Sequence, residues 1–398
     1  MLSSPPLNSL TRGTWFKLIC GASFGHLPAI RNLTIAYILA GADCIDVAAD
    51  LAVIAAARDG MSVAHKLAPA ARDRGYPVMD MPWLMVSLND GIDPHFRKAE
   101  FDPTQCPSDC PRPCERVCPA DAILFPLAQR LPVTSGEATL TQKGSVTAFT
   151  DDFRGVIDSR CYGCGRCLPI CPLGLITTID RTATPESIIP DLTTGKIDAI
   201  EIHTQSGHLA DFQRLWSVLA PVAHHLKLLA ISCPDSSELI SYLRLIHDTI
   251  AATYQPQPLP FTLLWQTDGR SMSGDIGAGT THAAIKLGEK VLAAGLPGYV
   301  QLAGGTNHYT VPKLQERELL PSATGNKHVH GVAYGSYARV LLSPLLDRLD
   351  TSTINPNKLE AHPELLWSAV ALAHELVGQL KTSLPRSENM PNLSSRPT

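Results

Sequence analysis

Eight cysteines fall in two tight runs and carry the most specific chemistry in the chain. One run reads Cys161-x2-Cys164-x2-Cys167-x3-Cys171-Pro172; the other reads Cys106-x3-Cys110-x3-Cys114-x3-Cys118-Pro119 and is one residue wider in each of its first two gaps. Two intervening residues bring successive thiolates to adjacent irons of one cubane, while loop N–H groups point at its sulfurs. Gly163 and Gly165 supply the backbone freedom such a loop needs. Four cysteines this close, with proline after the last, favour an iron–sulfur cluster over a zinc knuckle or free thiols. The chain has eleven cysteines and no basic-then-apolar leader in Met1–Arg12, so the runs read as metal ligation in a reducing compartment, not as disulfides. Cys20, Cys44 and Cys233 lie in or beside apolar runs and read as buried thiols.

The two runs also end alike, in Cys118-Pro-Ala-Asp-Ala-Ile123 and Cys171-Pro-Leu-Gly-Leu-Ile176, and Val156–Arg160 reads as a strand entering the second half. The region resembles a two-cluster [4Fe–4S] ferredoxin. The crossed ligation of that resemblance implies one cluster on Cys106, Cys110, Cys114 and Cys171 and another on Cys161, Cys164, Cys167 and Cys118. The stretch between Cys118 and Cys161 exceeds what a minimal ferredoxin needs, so Leu131–Phe149 is expected to be an inserted hairpin or loop. Arg112, Arg116, Arg160 and Arg166 either stabilise reduced clusters, dock a partner, or form a solvated rim.

The elements that must position these residues follow a different rhythm. Eight short β-rich runs are expected as strands: Phe16–Cys20, Cys44–Ala48, Trp83–Leu88, Ala199–His203, Leu226–Ser232, Phe261–Gln266, Tyr299–Leu302 and Val329–Ala333. Helical segments such as Pro28–Gly41, Glu238–Tyr254 and Thr281–Gly295 alternate with them, and Gly41, Gly60 and Gly295 are read as ending or interrupting helices. Eight βα units are the count of a closed (β/α)8 barrel of the α/β class. The rhythm lapses between Asn89 and Ile197, where both cysteine runs lie, which predicts a ferredoxin-like α+β domain inserted at the C-terminal rim after the third strand. Pro/Asp-rich Asp90–Pro103 and Arg181–Lys196 mark its edges. The expected division is 14–100 and 179–350 for the barrel, 101–178 for the insertion, 351–384 for a helical extension containing Pro363–Leu380, and 385–398 for a disordered tail.

The strand ends would face one mouth. Glu201 and His203, ending the fourth strand, are candidates for an acid–base pair or for core-layer groups. After the sixth strand, Gly274, Gly277 and Gly279 precede Thr280 and Thr281 at a helix start, either an anion-binding loop or a capped mobile loop. Gly304 and Gly305 after the seventh strand, with Gly335 and Ser336 after the eighth, occupy the places where such barrels hold a phosphate. A flavin or other phosphorylated ligand is one reading of this place and a vestigial site kept for its tight turns is the other; there is no Walker motif.

A net charge of −4 disfavours a nucleic-acid partner, and Asp43, Asp46 and Asp50 interrupt the most apolar stretch, Thr34–Ala57, so no transmembrane span is expected. Trp15-Phe-Lys-Leu-Ile-Cys-Gly-Ala-Ser-Phe24, Asp43-Cys-Ile-Asp-Val-Ala-Ala49, the cysteine pair, Thr267-Asp-Gly-Arg-Ser-Met-Ser-Gly-Asp-Ile276, Ala303-Gly-Gly-Thr-Asn307 and Gly331-Val-Ala-Tyr-Gly-Ser-Tyr-Ala-Arg339 together resemble the light-dependent-period protein A family of cyanobacteria. The resemblance implies a cytoplasmic iron–sulfur protein that reports light-dependent redox state to the circadian clock, with a clock-input kinase and core oscillator proteins as partners. An electron donor or quinone is a further expected partner. The alternative is an iron–sulfur oxidoreductase acting on a ligand at the barrel mouth.

Overall fold

The computed structural model describes residues 5–20, 27–78, 82–91, 97–118, 122–125, 155–157, 160–161, 165–180, 184–270, 276–321, 327–350 and 357–382. Its strands are β1 (Trp15–Ile19), β2 (Cys44–Ala48), β3 (Trp83–Asn89), β4 (Arg97–Glu100), β5 (Thr177–Asp180), β6 (Ala199–His203), β7 (Leu228–Pro234), β8 (Thr262–Asp268), β9 (Tyr299–Ala303) and β10 (Gly331–Tyr334). Eight of them form a closed parallel barrel in the order β1–β2–β3–β6–β7–β8–β9–β10, as the βα rhythm predicts. No helix among the described residues is long and apolar enough to cross a membrane.

Alternation along each strand explains why these runs are apolar on both faces. Phe16, Leu18, Ile45, Val47, Leu84 and Val86 join the large core under the outer helices. Trp15, Cys44, Trp83, Met85, Ala199, Leu228, Ala230 and Leu264 form a separate cluster, closed by Leu10 from the helix Pro5–Thr11. Trp15 and Trp83 meet edge to face there, 5.7 Å between ring centroids. The Ser/Pro-rich start of the chain therefore includes a helix, which the lack of a long periodic run conceals.

The outer layer corrects one glycine reading. Gly41 and Gly295 do take left-handed backbone at helix ends, with φ of 102° and 64°. Gly60 instead lies buried inside the helix Leu51–Asp73, where an added Cβ would sit 2.6 Å from the Arg31 carbonyl of the helix Leu27–Leu39. It allows two helices to pack closely and ends neither. The helix Pro363–Lys381 packs across Leu27–Leu39 and Ser336–Asp350, and its Lys381 reaches the buried Asp43 at 2.5 Å.

Strands β3 and β6 are direct parallel neighbours, from Met85 opposite Ala199 to Asn89 opposite His203. The intervening chain leaves the barrel between them. Within it β4 and β5 form their own antiparallel pair, and an isolated antiparallel bridge joins Ile123 to Val156. Val156 thus makes a bridge where a strand was expected. Around these pairs Ala99, Phe101, Cys114, Ala122, Ile123, Phe125, Cys161, Cys167 and Ile176 form a third core. The exit segment, read as a Pro/Asp-rich edge, contains the helix Pro185–Thr193, whose first residue is a proline lacking the N–H that a first turn leaves unbonded. Residues 131–149 and the tail from 385 lie outside the described residues.

Candidate functional site

The fold brings cysteines from distant parts of the sequence together. Cys106, Cys110, Cys114 and Cys171 line one cavity, walled by Phe101, Pro113, Phe125, Pro172, Leu173, Leu175 and Ile176. This is the set that the crossed pattern assigns to one cluster. The antiparallel pairing of β4 with β5 accounts for it, because β4 leads into Cys106 and β5 follows Cys171. Among the described residues, no three His, Cys, Asp or Glu side chains converge as ligands of one metal ion. Four soft donors around an apolar-walled space fit a multi-iron group.

Local backbone prepares the thiols. Burial pushes the Cys171 thiol up, but N–H groups of Leu175, Leu173, Ile176 and Gly174 outweigh it and hold the group below the usual thiol value. Cys114 follows the opposite course, raised chiefly by burial. The short helix Pro113–Val117 begins after Arg112, whose left-handed φ of 50° turns the chain and whose guanidinium lies 4.3 Å over the Phe125 ring. Arg116 donates to the Pro111 carbonyl at 2.9 Å, so these two arginines brace the loop.

In the second run, Gly165 has φ of 71°, and Cys161 and Cys167 are buried in the same small core that Cys118 borders. The Ala122 N–H donates to Cys118 Sγ at 3.3 Å. Cys164 lies outside the described residues. Cys20, Cys44 and Cys233 are buried in the barrel, as expected, and burial pushes Cys20 and Cys233 up to about 12.

The second concentration of chemistry is inside the barrel. Lys17 of β1 is fully buried, its ammonium contacting Glu201 of β6 and lying 3.1 Å from Asp46 Oδ2 of β2. Burial opposes its charge, but the two carboxylates outweigh it and raise the Lys17 pKa. Glu201 Oε1 accepts from Gln266 Nε2 at 2.7 Å and lies 3.1 Å from His203 Nε2. Gln301 donates to Gln266, and Trp15 donates to Gln301, both at 2.6 Å. Nearer the mouth Ser87 donates to Asp46 at 2.7 Å, and Ser232 donates to Asp268. The interior is thus graded from indole rings at the bottom through an ionic layer to hydroxyl–carboxylate pairs at the mouth.

Sequence reasoning reached Glu201 and His203 here and missed the others. Their signal is polar residues at inward positions of buried strands, as in Trp15-x-Lys17 and Gln266-x-Asp268, and it can be read only once the inward face is known.

The rim glycines occupy tight turns. Gly304 and Gly305 have φ of 67° and 92°, and a Cβ on them would meet Arg270 N at 2.8 Å and the Thr280 carbonyl at 2.9 Å respectively. Asn307 donates to the Gly277 carbonyl at 2.9 Å, tying the loop after β9 to the one after β8. Gly277 precedes and Gly279 lies within a single 3-10 turn, Ala278–Thr280, ahead of the helix Thr281–Ala294, and Gly274 lies outside the described residues. A Cβ on Gly335 would meet only ordinary contacts, and Ser336 opens the helix Ser336–Asp350 with its hydroxyl accepting from Arg339 at 3.0 Å.

Comparison with known proteins fits both halves. Residues 106–182 match the LdpA Fe-S cluster-binding domain, and residues 191–379 match the light dependent period A C-terminal domain. The chain is 49% identical over 384 residues to light dependent period A of Synechococcus elongatus, covering 96% of each. An iron–sulfur-binding segment leaving a closed α/β barrel, with similarity across nearly the whole length, places this chain in the light-dependent-period A family.

Proposed function

We propose that this chain is a redox-sensing protein with two [4Fe–4S] clusters, which conveys the light-dependent redox state of the cell to the circadian clock and adjusts its period. The observation that carries the reading is the convergence of Cys106, Cys110, Cys114 and Cys171 on one cavity, as crossed ligation in a two-cluster ferredoxin requires. The clock role draws on the printed name of the relative, light dependent period A.

When bound, the clusters supply one-electron exchange. The chain's own residues do the rest. The N–H groups around Cys171 favour its thiolate, and Phe101, Phe125 and Leu175 keep water from the cavity wall. Lys98 of β4 meets Asp50 at 2.5 Å, both nearly fully buried, and Asp50 also caps the helix Leu51–Asp73 by accepting from Ala52 and Val53 N–H. A charge change in the cysteine unit therefore has a rigid route to the rim after β2. The expected partners are a clock-input kinase, core oscillator proteins, and an electron donor or quinone, in the cytoplasm.

Anaerobic iron and sulfide analysis should give about eight of each per chain for two cubanes. Stoichiometric zinc with little iron would overturn the cluster reading. An unaltered clock period in cells carrying Cys171→Ser would overturn the sensor reading and leave the cluster reading to the iron and sulfide analysis.

A further inference from the structure

The cavity shared by Cys106, Cys110, Cys114 and Cys171 has a thin wall on one side. Pro172 and Leu173 line it, and both are also exposed, Leu173 to 53%. On the opposite side of Cys171 in the chain, Ile170 is 42% exposed and Pro169 beside it is exposed as well. The other aromatic and aliphatic wall residues, Phe101, Phe125 and Ile176, are buried in the third core. A single exposed aliphatic residue needs no explanation, but here four apolar residues run together around a cavity thiol.

The edge of this strip is basic. Arg166 stands four residues before Ile170, at the start of the helix Cys167–Ile170, and is exposed. Arg116 is exposed on the helix Pro113–Val117, which packs against the helix Cys167–Ile170. Its bond to the Pro111 carbonyl holds the guanidinium in place. Among the described residues of the two runs, Arg112, Arg116, Arg160 and Arg166 stand against Asp109 and Glu115, in a chain whose net charge is −4. An apolar centre with a charged edge is the anatomy of an interface, and the sign of the edge selects an acidic partner.

We propose that the strip Pro169–Leu173, with Arg116 and Arg166 at its edge, is the docking surface for an acidic one-electron carrier protein. The inference rests on the cluster reading above and names the partner of that same site. One electron leaves the reduced centre of the carrier and passes across Pro172 and Leu173 to the group held by the four thiolates. The carrier is oxidised and that group reduced; no bond breaks and no proton is needed. The arginines attract the carrier and offset the negative charge it delivers. Transient electron-transfer encounters bury little area, and charge complementarity sets their orientation and rate.

The test is calorimetric binding of oxidised plant-type [2Fe–2S] ferredoxin, an acidic carrier, to the full, anaerobically prepared, oxidised protein, which reads association without electron transfer. Binding should weaken about tenfold from low to physiological salt, and basic cytochrome c should not bind. Ile170→Asp should weaken ferredoxin binding about tenfold and Arg166→Glu about fivefold, with cluster absorbance unchanged. Arg166→Glu carries the test if Ile170→Asp loses its clusters. In anaerobic stopped flow, reduced ferredoxin should bleach the cluster absorbance more slowly in both variants. Photoreduced 5-deazariboflavin, a small uncharged reductant that needs no docking surface, should act on all three proteins at one rate. Absent ferredoxin binding, binding indifferent to both substitutions, or binding of decyl-plastoquinone alone would each overturn the proposal. If deazariboflavin bleaches the wild-type clusters while ferredoxin does not bind, the docking surface alone fails; if it bleaches nothing, the cluster reading fails and takes the docking surface with it.

Discussion

The barrel and the cysteine unit hold their reactive groups by opposite means. In the barrel, Lys17, Asp46, Glu201 and Gln266 sit on strands whose register is fixed by continuous parallel ladders and by a large apolar core outside them. Their positions are settled before any ligand arrives. In the cysteine unit, two short strands and a bridge organise a small core that itself includes Cys114, Cys161 and Cys167. There the cysteines proposed as ligands are part of the core, so binding free energy and folding free energy are hard to separate. The difference implies that the unit should depend on its metal while the barrel should depend on its packing and its internal ion pairs.

The largest expected effect separates the two regions. Cys171→Ser should leave about four of about eight irons, because one cubane loses a ligand on which the crossed pattern depends. Barrel unfolding in urea should shift by no more than about 0.5 kcal/mol. A collapse of the barrel transition would show that the regions are one cooperative unit.

Lys17→Met makes the reciprocal change. Removing the ammonium leaves the buried Asp46 and Glu201 facing each other, which should cost about 3–5 kcal/mol in denaturant unfolding. Iron content should stay at the wild-type level. Loss of iron at unchanged stability would contradict the separation.

Gly60→Ala tests packing in the barrel's outer layer alone. Its Cβ would stand 2.6 Å from the Arg31 carbonyl and 3.0 Å from Thr34 Cβ, so two helices must part, at about 1–3 kcal/mol. A stabilised variant would show that the contact between the two helices does not need a glycine at this position.

The smallest effect is pH-dependent and lies at the barrel bottom. Burial, aided by neighbouring His328, lowers His330 from 6.5 to about 4. The unfolded chain therefore binds a proton in that window and the folded one does not. The associated stability is full above pH 6.5 and is lost as pH falls toward 4, by about 1 kcal/mol for a partly solvated ring. His330→Asn keeps an acceptor for the Val300 N–H and should remove that slope from a pH series of melting temperatures. The iron–sulfur absorbance should not follow it.

Cysteine spacing and the βα rhythm were legible because both are local patterns: closely spaced cysteines mark an iron–sulfur-binding segment, and a parallel strand must be followed by a helix to return the chain. The same locality limited the reading. Gly60 looked like a break because its cause, the Arg31 carbonyl, lies on another helix. The anion reading of Gly304 and Gly305 did not foresee their close approach to Arg270 and Thr280.

The amino-acid sequence by itself determined that there are eight barrel strands, that both cysteine runs leave the barrel after the third, and that the segment carrying them binds iron–sulfur. Only the tertiary structure decided that Cys171 stands beside Cys106, Cys110 and Cys114, because antiparallel pairing of β4 with β5 closes a gap of more than fifty residues. It also decided that Lys17 meets Asp46 and Glu201. A strand shows which residues share a face, but which strands face one another across a closed barrel depends on closure, and closure belongs to the whole chain.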